Sequence, residues 1–409
     1  MNTTPQWAIT RYSAAVVLAA GYLLPLAAQA GDFSSRLEIL SYRQETDSWR
    51  NSPFARVATL PDHSLASELR PDLAWRDEHL AASLKPRLAA TQTPGETHIS
   101  TWLNEGWLRW QPTPGWSLQG GREALLWGPA MFWNPSNPLF PTSNKANPRR
   151  EVVGKDILRA RWQIAPGWAV TSINAVGRRE SDTGPKRLYA MKLDWSSQDA
   201  AAAVIAASEP GHAPSWQGYA QWTASEATLL YGELAWRAGQ PYTVANPAGT
   251  ASGWASSTTP THRSALALLG SSYTFENNWT LYAELWHNGN GLNKADAARL
   301  GSAASLLAGQ NTAIASAQLG ALINEPAPLR RNYAGLQLGN DSSGNTSWKI
   351  RITRNLDDQS MEWVGMLDHN FSDHLQGWIN LMRRSGARDS EYGRWVRGSS
   401  MVGFTWFAW

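Results

Sequence analysis

The 409-residue chain contains no cysteine. That excludes disulfide scaffolds, thiolate nucleophiles and zinc sites built on cysteine. Beyond residue 30 it has no apolar run near the about 18 residues that a membrane-spanning helix needs, and Ala200–Ala207 is far too short. The formal net charge is only +3 and the basic residues are scattered, which speaks against a nucleic-acid surface. Histidine is scarce, and His369 and His374, which flank a turn, carry no nucleophile motif. G-x-S-x-G, H-E-x-x-H and phosphate-loop patterns are absent. The sequence therefore points away from an enzyme and implies neither cofactor nor metal.

What is abundant is tryptophan: 24 residues, against 8 Phe and 11 Tyr. Trp is favoured where one end of a side chain is apolar and the other wet, as at a membrane interface. The N-terminus reads as a secretory signal over residues 1–30. Arg11 supplies the positive charge, Ala14–Ala28 the apolar core and Ala28-Gln29-Ala30 the cleavage box. Residues 31–409 then form one unit.

Within that unit, apolar and polar residues alternate over stretches of about ten to thirteen residues, each followed by a turn. Trp279, Leu281, Ala283 and Leu285 alternate with Thr280, Tyr282 and Glu284; Trp348, Ile350 and Ile352 alternate with Lys349, Arg351 and Thr353. About eighteen such segments are counted, from 33–43 to 397–409. Their connections alternate short and long, the long ones being 44–63, 127–154, 239–260, 289–329 and 385–396. This predicts an all-β fold: a single antiparallel transmembrane β-barrel of sixteen to eighteen strands in a bacterial outer membrane, with short periplasmic turns and long extracellular loops. Closure pairs every backbone group that faces hydrocarbon. Trp102, Trp110, Trp116, Trp162, Trp168, Trp195, Trp236, Trp279 and Trp348 are the expected girdle. The last strand, Met401 to Trp409, resembles the terminal signal of outer-membrane barrels and makes the barrel-assembly machinery an expected partner, beside the membrane lipid. A monomer is expected.

Alternation sends Glu105, Arg109, Arg159, Arg161, Lys192, Asp194, Glu233, Arg237, Glu284, Lys349, Arg351 and Arg384 into the lumen. Eight of these twelve are basic, which predicts a weak preference for anionic solutes. Two segments are candidate plugs. Ala295–Leu322 has helical composition. Gly120–Asp156 is irregular because Pro129, Pro135, Pro138, Pro141 and Pro148 donate no ladder hydrogen bonds, yet it is too apolar for a solvated linker. It is expected to fold into the mouth or over it. Arg122 breaks the alternation, and a bulge at Gly120-Gly121 would turn it inward to pair with Glu123.

Gly121-Arg122, Trp127-Gly128-Pro129, Leu139, Ser143-Asn144 and Pro148 together resemble the capsule-assembly outer-membrane barrels, the Wzi family, and more loosely the alginate-export type. The resemblance covers this one segment, in which Ala130–Pro135 replaces a Gly-led stretch. It implies an eighteen-stranded barrel that holds or exports capsular or other exopolysaccharide. Trp127, Phe132, Trp133, Asn134 and Asn144 would then meet sugar rings. Arg122, Glu123, Arg149, Arg150, Lys155, Arg159 and Arg161 would meet polar and acidic groups. Two alternatives stand beside it: a general or substrate-selective diffusion porin for small polar solutes, and a closed barrel that anchors a surface polymer without transport.

Overall fold

The computed structural model describes residues 31–49, 61–140, 149–176, 187–211, 213–238, 243–245, 254–256, 263–298, 329–340, 344–394 and 396–408. The secretory signal, Asn144 and Trp409 lie outside them. The strands are β1 (Asp32–Ser48), β2 (His63–Arg76), β3 (Leu80–Thr93), β4 (Glu96–Thr113), β5 (Trp116–Glu123), β6 (Lys155–Ala165), β7 (Trp168–Val176), β8 (Arg187–Ser196), β9 (Ala200–Ser208), β10 (Ser215–Ser225), β11 (Thr228–Ala238), β12 (Thr243–Ala245), β13 (Trp254–Ser256), β14 (Arg263–Thr274), β15 (Trp279–Asn288), β16 (Asn332–Asn340), β17 (Thr346–Asn355), β18 (Met361–Ser372), β19 (Leu375–Ser385) and β20 (Val396–Ala408). Eighteen of them form one antiparallel sheet that closes where β1 pairs with both β2 and β20. The short strands β12 and β13 pair only with each other, in the connection between β11 and β14.

The pattern is inside out relative to a water-soluble protein. Leu234, Leu269, Leu285 and Ile350 are exposed on the outer face, whereas Glu233, Glu284 and Arg351 are buried on the inner one. Exposed apolar side chains are at home only against lipid, and closure leaves the sheet no free edge. The last strand follows the same rule: Val402, Phe404 and Trp406 point outward, while Met401 and Thr405 are buried inside. Beside the short turns the aromatic side chains touch in pairs. Trp110 and Trp116 lie 5.8 Å apart, Trp168 and Trp195 6.3 Å, and Trp279 and Trp348 5.1 Å. They mark one membrane interface. The barrel therefore sits in the outer membrane.

The register corrects two expectations. Trp102 is not part of the outer girdle. The β3–β4 register shifts between Lys85 and Pro86, with Asn104 as the extra residue of β4, and this sets Trp102 opposite Arg87, whose guanidinium reaches into the lumen. Nor is there a bulge at Gly120-Gly121, because both registers of β5 run unbroken from Leu118 to Arg122. Arg122 lies opposite Asp156 and binds it at 2.8 and 2.9 Å, while Glu123 pairs with Arg159 instead. A helical turn covers 294–298, and the rest of the expected helical stretch lies outside the described residues.

Candidate pore constriction

The connection between β5 and β6 enters the barrel. Its outgoing arm, 124–140, has no regular secondary structure, so its backbone N–H groups need partners from elsewhere. Two wall carboxylates supply them. Glu233, midway along β11, accepts from Ala130 N–H at 3.1 Å and Ser136 N–H at 3.0 Å. Glu284, midway along β15, accepts from Met131 at 2.5 Å, Phe132 at 3.1 Å and the Tyr231 hydroxyl at 2.8 Å. Gly128, at φ 87°, passes so close to Glu233 that a Cβ would stand 2.5 Å from its carboxylate, so only glycine fits. Internal bonds complete the arm. Trp127 Nε1 donates to Ser136 O at 3.0 Å, and the Asn137 side-chain oxygen Oδ1 accepts from both Leu139 and Phe140 N–H at 3.0 Å.

Apolar contact does the rest. Trp127, Leu139 and Phe140 pack on Ile157, Ile173, Leu188 and Ile205 of β6–β9. Phe132 and Trp133, each 1% exposed, pack among Tyr231, Leu268, Trp286 and Tyr333. Phe132, Trp286 and Tyr333 form a continuous stack with centroids 5.5 and 5.4 Å apart. Burying each such side chain is worth roughly 1.5–3 kcal/mol. The arm is thus laid along the inner wall from β6 to β16.

The returning arm, 149–154, crosses to the other wall and is held by charge. Arg149 pairs with Asp368 of β18, donates to Gln376 of β19 at 3.1 Å and lies over the Trp378 ring. Its carbonyl accepts from Arg70 of β2 at 2.9 Å. Glu151 takes Arg87 Nε at 2.6 Å and a terminal guanidinium nitrogen at 2.8 Å. Arg87 has a sequence-level cause. Pro71 and Pro86 face the gap where the β2–β3 ladder opens between Leu69–Leu88 and Leu73–Leu84. Prolines donate nothing, and Arg87 donates to both proline carbonyls at 2.9 Å. One buried guanidinium thus mends the wall and anchors the arm.

The remaining candidate residues fall as follows. Asn134 is buried and donates to Trp127 O within the arm. Lys155 donates to Leu139 O at 2.7 Å and Arg150 is exposed on the returning arm. Trp127, Phe132 and Trp133 turn their faces to the wall, not to the lumen. Lys192 pairs with Asp194 and sits over the Trp127 and Tyr219 rings. Arg351 lies over the Phe132 ring, and Arg384 pairs with Glu362 at 2.7 Å. Arg109 and Arg159 share one inner-face row with Arg76, through the register Arg76–Ala81–Arg109–Gln119–Arg159. Arg161, Arg237 and Lys349 also occupy the inner face, since their neighbours Trp162, Trp236 and Ile350 point outward. Sequence reasoning missed Arg70, Arg87, Glu151 and Asp368. Pro71 and Pro86 in two adjacent predicted strands were the available signal for Arg87.

Above the constriction, the outer connections form a polar pad. Asp357 accepts from Asn332 Nδ2 at 2.7 Å, from Asn332 N–H at 2.9 Å and from Arg331 N–H at 2.7 Å. Those bonds outweigh burial and hold it below the ordinary carboxylate range. Glu391 accepts from the Tyr333 hydroxyl at 2.5 Å and Asn355 at 2.7 Å, but burial dominates and pushes it up.

The comparisons with known proteins agree with this geometry at the level of fold. No protein-family model and no curated protein matches the sequence. Solved structures do match in shape. Pseudomonas aeruginosa OccK11 (OpdR) superposes with a TM-score of 0.54 at 10% identity, over 92% of this chain and 97% of that one. P. aeruginosa OccK5 (OpdH) gives 0.52 at 9% identity, over 92% and 99%. P. aeruginosa OprD gives 0.54 at 7% identity, over 92% and 95%. The fold is that of a porin-like outer-membrane barrel. This overturns the resemblance to capsule-assembly and alginate-export barrels. The Trp127-Gly128-Pro129 that suggested it belongs to an inward-folded arm whose Trp127 is packed into the wall, Arg122 lies in β5, and Ser143-Asn144 fall outside the described residues.

Proposed function

We propose that the protein is a diffusion porin for small polar solutes, with a preference for anionic ones. One observation carries the reading: the uncommitted charge of the lumen is positive. Seven inner-face strand glutamates have partners. Glu38 and Glu68 bind Arg70, Glu105 binds Lys85, Glu123 binds Arg159 and Glu362 binds Arg384. Glu233 and Glu284 hold the outgoing arm. Among the described residues, Arg76, Arg109, Arg161, Arg237 and Lys349 make no ion pair. Unpaired charges of one sign around a narrow aqueous path raise the local concentration of the opposite ion. The inward segment supports a narrowed path rather than an open bore, since both of its arms run inside the wall. Arg76, Arg109 and Arg161 are the residues proposed to meet the solute.

Single-channel recording of the refolded chain in a planar bilayer tests the reading. Discrete, stable conductance steps are expected, together with larger flux for small carboxylates than for amines of equal size in vesicle swelling. A folded barrel that stays silent would replace the porin with a closed surface anchor.

A further inference from the structure

We infer that the connection between β19 and β20 is a lid over one side of the mouth, latched by Glu391 and released when that carboxyl loses its proton. Over 386–394 the connection turns in across the wall instead of standing up from it. Gly386, at φ 152°, makes the turn, where a Cβ would collide with Ser360 and Ser390. Gly393 closes it, where a Cβ would collide with the Ala387 carbonyl. Ser390 and Arg394 are buried in the result. The contacts are with inward-facing residues of the wall and with the neighbouring turn. The Arg384 guanidinium lies over the Tyr392 ring at 5.7 Å, and Tyr392 N–H donates to Ser360 Oγ at 3.3 Å.

Glu391 is the fastening, because its carboxylate reaches three other elements. Oε2 accepts from the Tyr333 hydroxyl of β16 at 2.5 Å and from Asn355 Nδ2 of β17 at 2.7 Å. Oε1 accepts from Leu329 N–H, in the connection before β16, at 3.3 Å. The N–H of Glu391 donates to Asp358 Oδ2, in the β17–β18 turn, at 2.9 Å. Tyr333 is the last ring of the Phe132–Trp286–Tyr333 stack, so the latch bears on the inward arm.

The surroundings of Glu391 make the latch sensitive to protons. The charged and titratable groups on the elements packed against it are Arg330 and Arg331 before β16, Tyr333 of β16, Arg351 of β17, Asp357 and Asp358 of the β17–β18 turn, Glu362 of β18 and Arg384 of β19. Its own connection adds Arg388, Asp389, Tyr392 and Arg394. Several of these are engaged elsewhere. Asp357 takes Arg331 and Asn332 N–H, and Glu362 pairs with Arg384. Arg394 favours the ionised form, but its Nε donates to the Glu391 carbonyl at 3.2 Å, and Asp358 opposes that form. Burial outweighs both and pushes the carboxyl up. A proton on Oε1 gives up only the long Leu329 bond and keeps both bonds on Oε2. An ionised Glu391 is a buried charge beside Asp358, and it regains water when the lid lifts. Acid therefore holds the lid down and alkali releases it.

The absence of cysteine lets spin labels be placed at chosen positions. Asp389→Cys on the lid and Gln92→Cys at the outer end of β3 report the lid's position by double electron–electron resonance, on the full refolded chain in detergent. In this labelled chain the population away from the packed distance should rise about tenfold from acid to mildly alkaline pH. Glu391→Gln, which stays neutral, should keep the packed distance at every pH. Tyr333→Phe removes the hydroxyl bond and should release the lid in acid as well. Open-channel current noise should rise with the released population, because the stack behind Phe132 loses its anchor. Only this last readout rests on the porin reading: a lid that answers pH in a barrel that passes no current upholds the inference and removes the porin. A lid distance that ignores pH, or a Glu391→Gln barrel that titrates like its parent, would overturn the inference.

Discussion

The two arms of the inward connection are held by different forces. The outgoing arm meets β6 to β16 through buried aromatic side chains and backbone N–H groups aimed at Glu233 and Glu284. The returning arm meets β18, β19, β2 and β3 through ion pairs of Arg149 and Glu151 that retain partial exposure. Apolar burial is insensitive to salt, whereas partly exposed pairs are screened. The first arm fixes the shape of the lumen; the second is the part that salt and charge substitution loosen.

The largest effect should come from the outgoing arm. Trp133→Ala removes a side chain 1% exposed and is expected to cost about 3–5 kcal/mol in urea unfolding of the barrel, with a rise in conductance as the arm loosens. Glu284→Ala strands three donors, the N–H groups of Met131 and Phe132 and the Tyr231 hydroxyl. A loss of about 1–3 kcal/mol for each donor left unsatisfied is expected, read from the same unfolding curves. If either variant unfolds like wild type, the arm is not a stable part of the barrel.

The returning arm should respond less in stability and more to salt. Glu151→Gln weakens the bidentate clasp of Arg87, which keeps Asp72 at 2.8 Å, so the cost should not exceed about 1.5–3 kcal/mol. Its mark should be noisier conductance, and wild type in molar salt should show the same noise. Arg109→Ala touches neither arm. It should leave stability within about 0.5 kcal/mol of wild type and lower the anion-to-cation permeability ratio.

The smallest expected effect concerns pH and the outer pad. Asp357 is held below its ordinary value, so its contribution is present above the unfolded value and lost as pH falls through the folded one. Glu391 is pushed up, so its ionised form disfavours the fold and stability rises as pH falls through its folded value. Asp357→Asn should flatten the acid limb of the stability curve, and Glu391→Gln should remove the gain on mild acidification. Unfolding midpoints across the acid range read both.

Most of the wall was legible because period-two alternation leaves little choice. Trp279 to Leu285 can place Glu284 on only one face, and the side of each strand follows from its neighbours. The constriction was legible only as an irregular apolar segment. Glu233 and Glu284 read as pore-lining charges, yet they cap backbone N–H groups more than 95 residues away in sequence. No local pattern states which wall a loop reaches. Trp127, Phe132 and Trp133 read as platforms for sugar because flat rings in a loop suit either a ligand or a core; partner residues from β6 to β16 decide for the core. The misplaced bulge has the same origin. Two glycines mark Gly120-Gly121, but the shift falls at Pro86, where a missing donor breaks the ladder.

The proposed positive charge of the lumen is read by the reversal potential across a tenfold KCl gradient. A reversal potential of the sign set by chloride is expected, moving toward zero in R76A/R109A/R161A. A reversal potential set by potassium in the wild-type channel would contradict it.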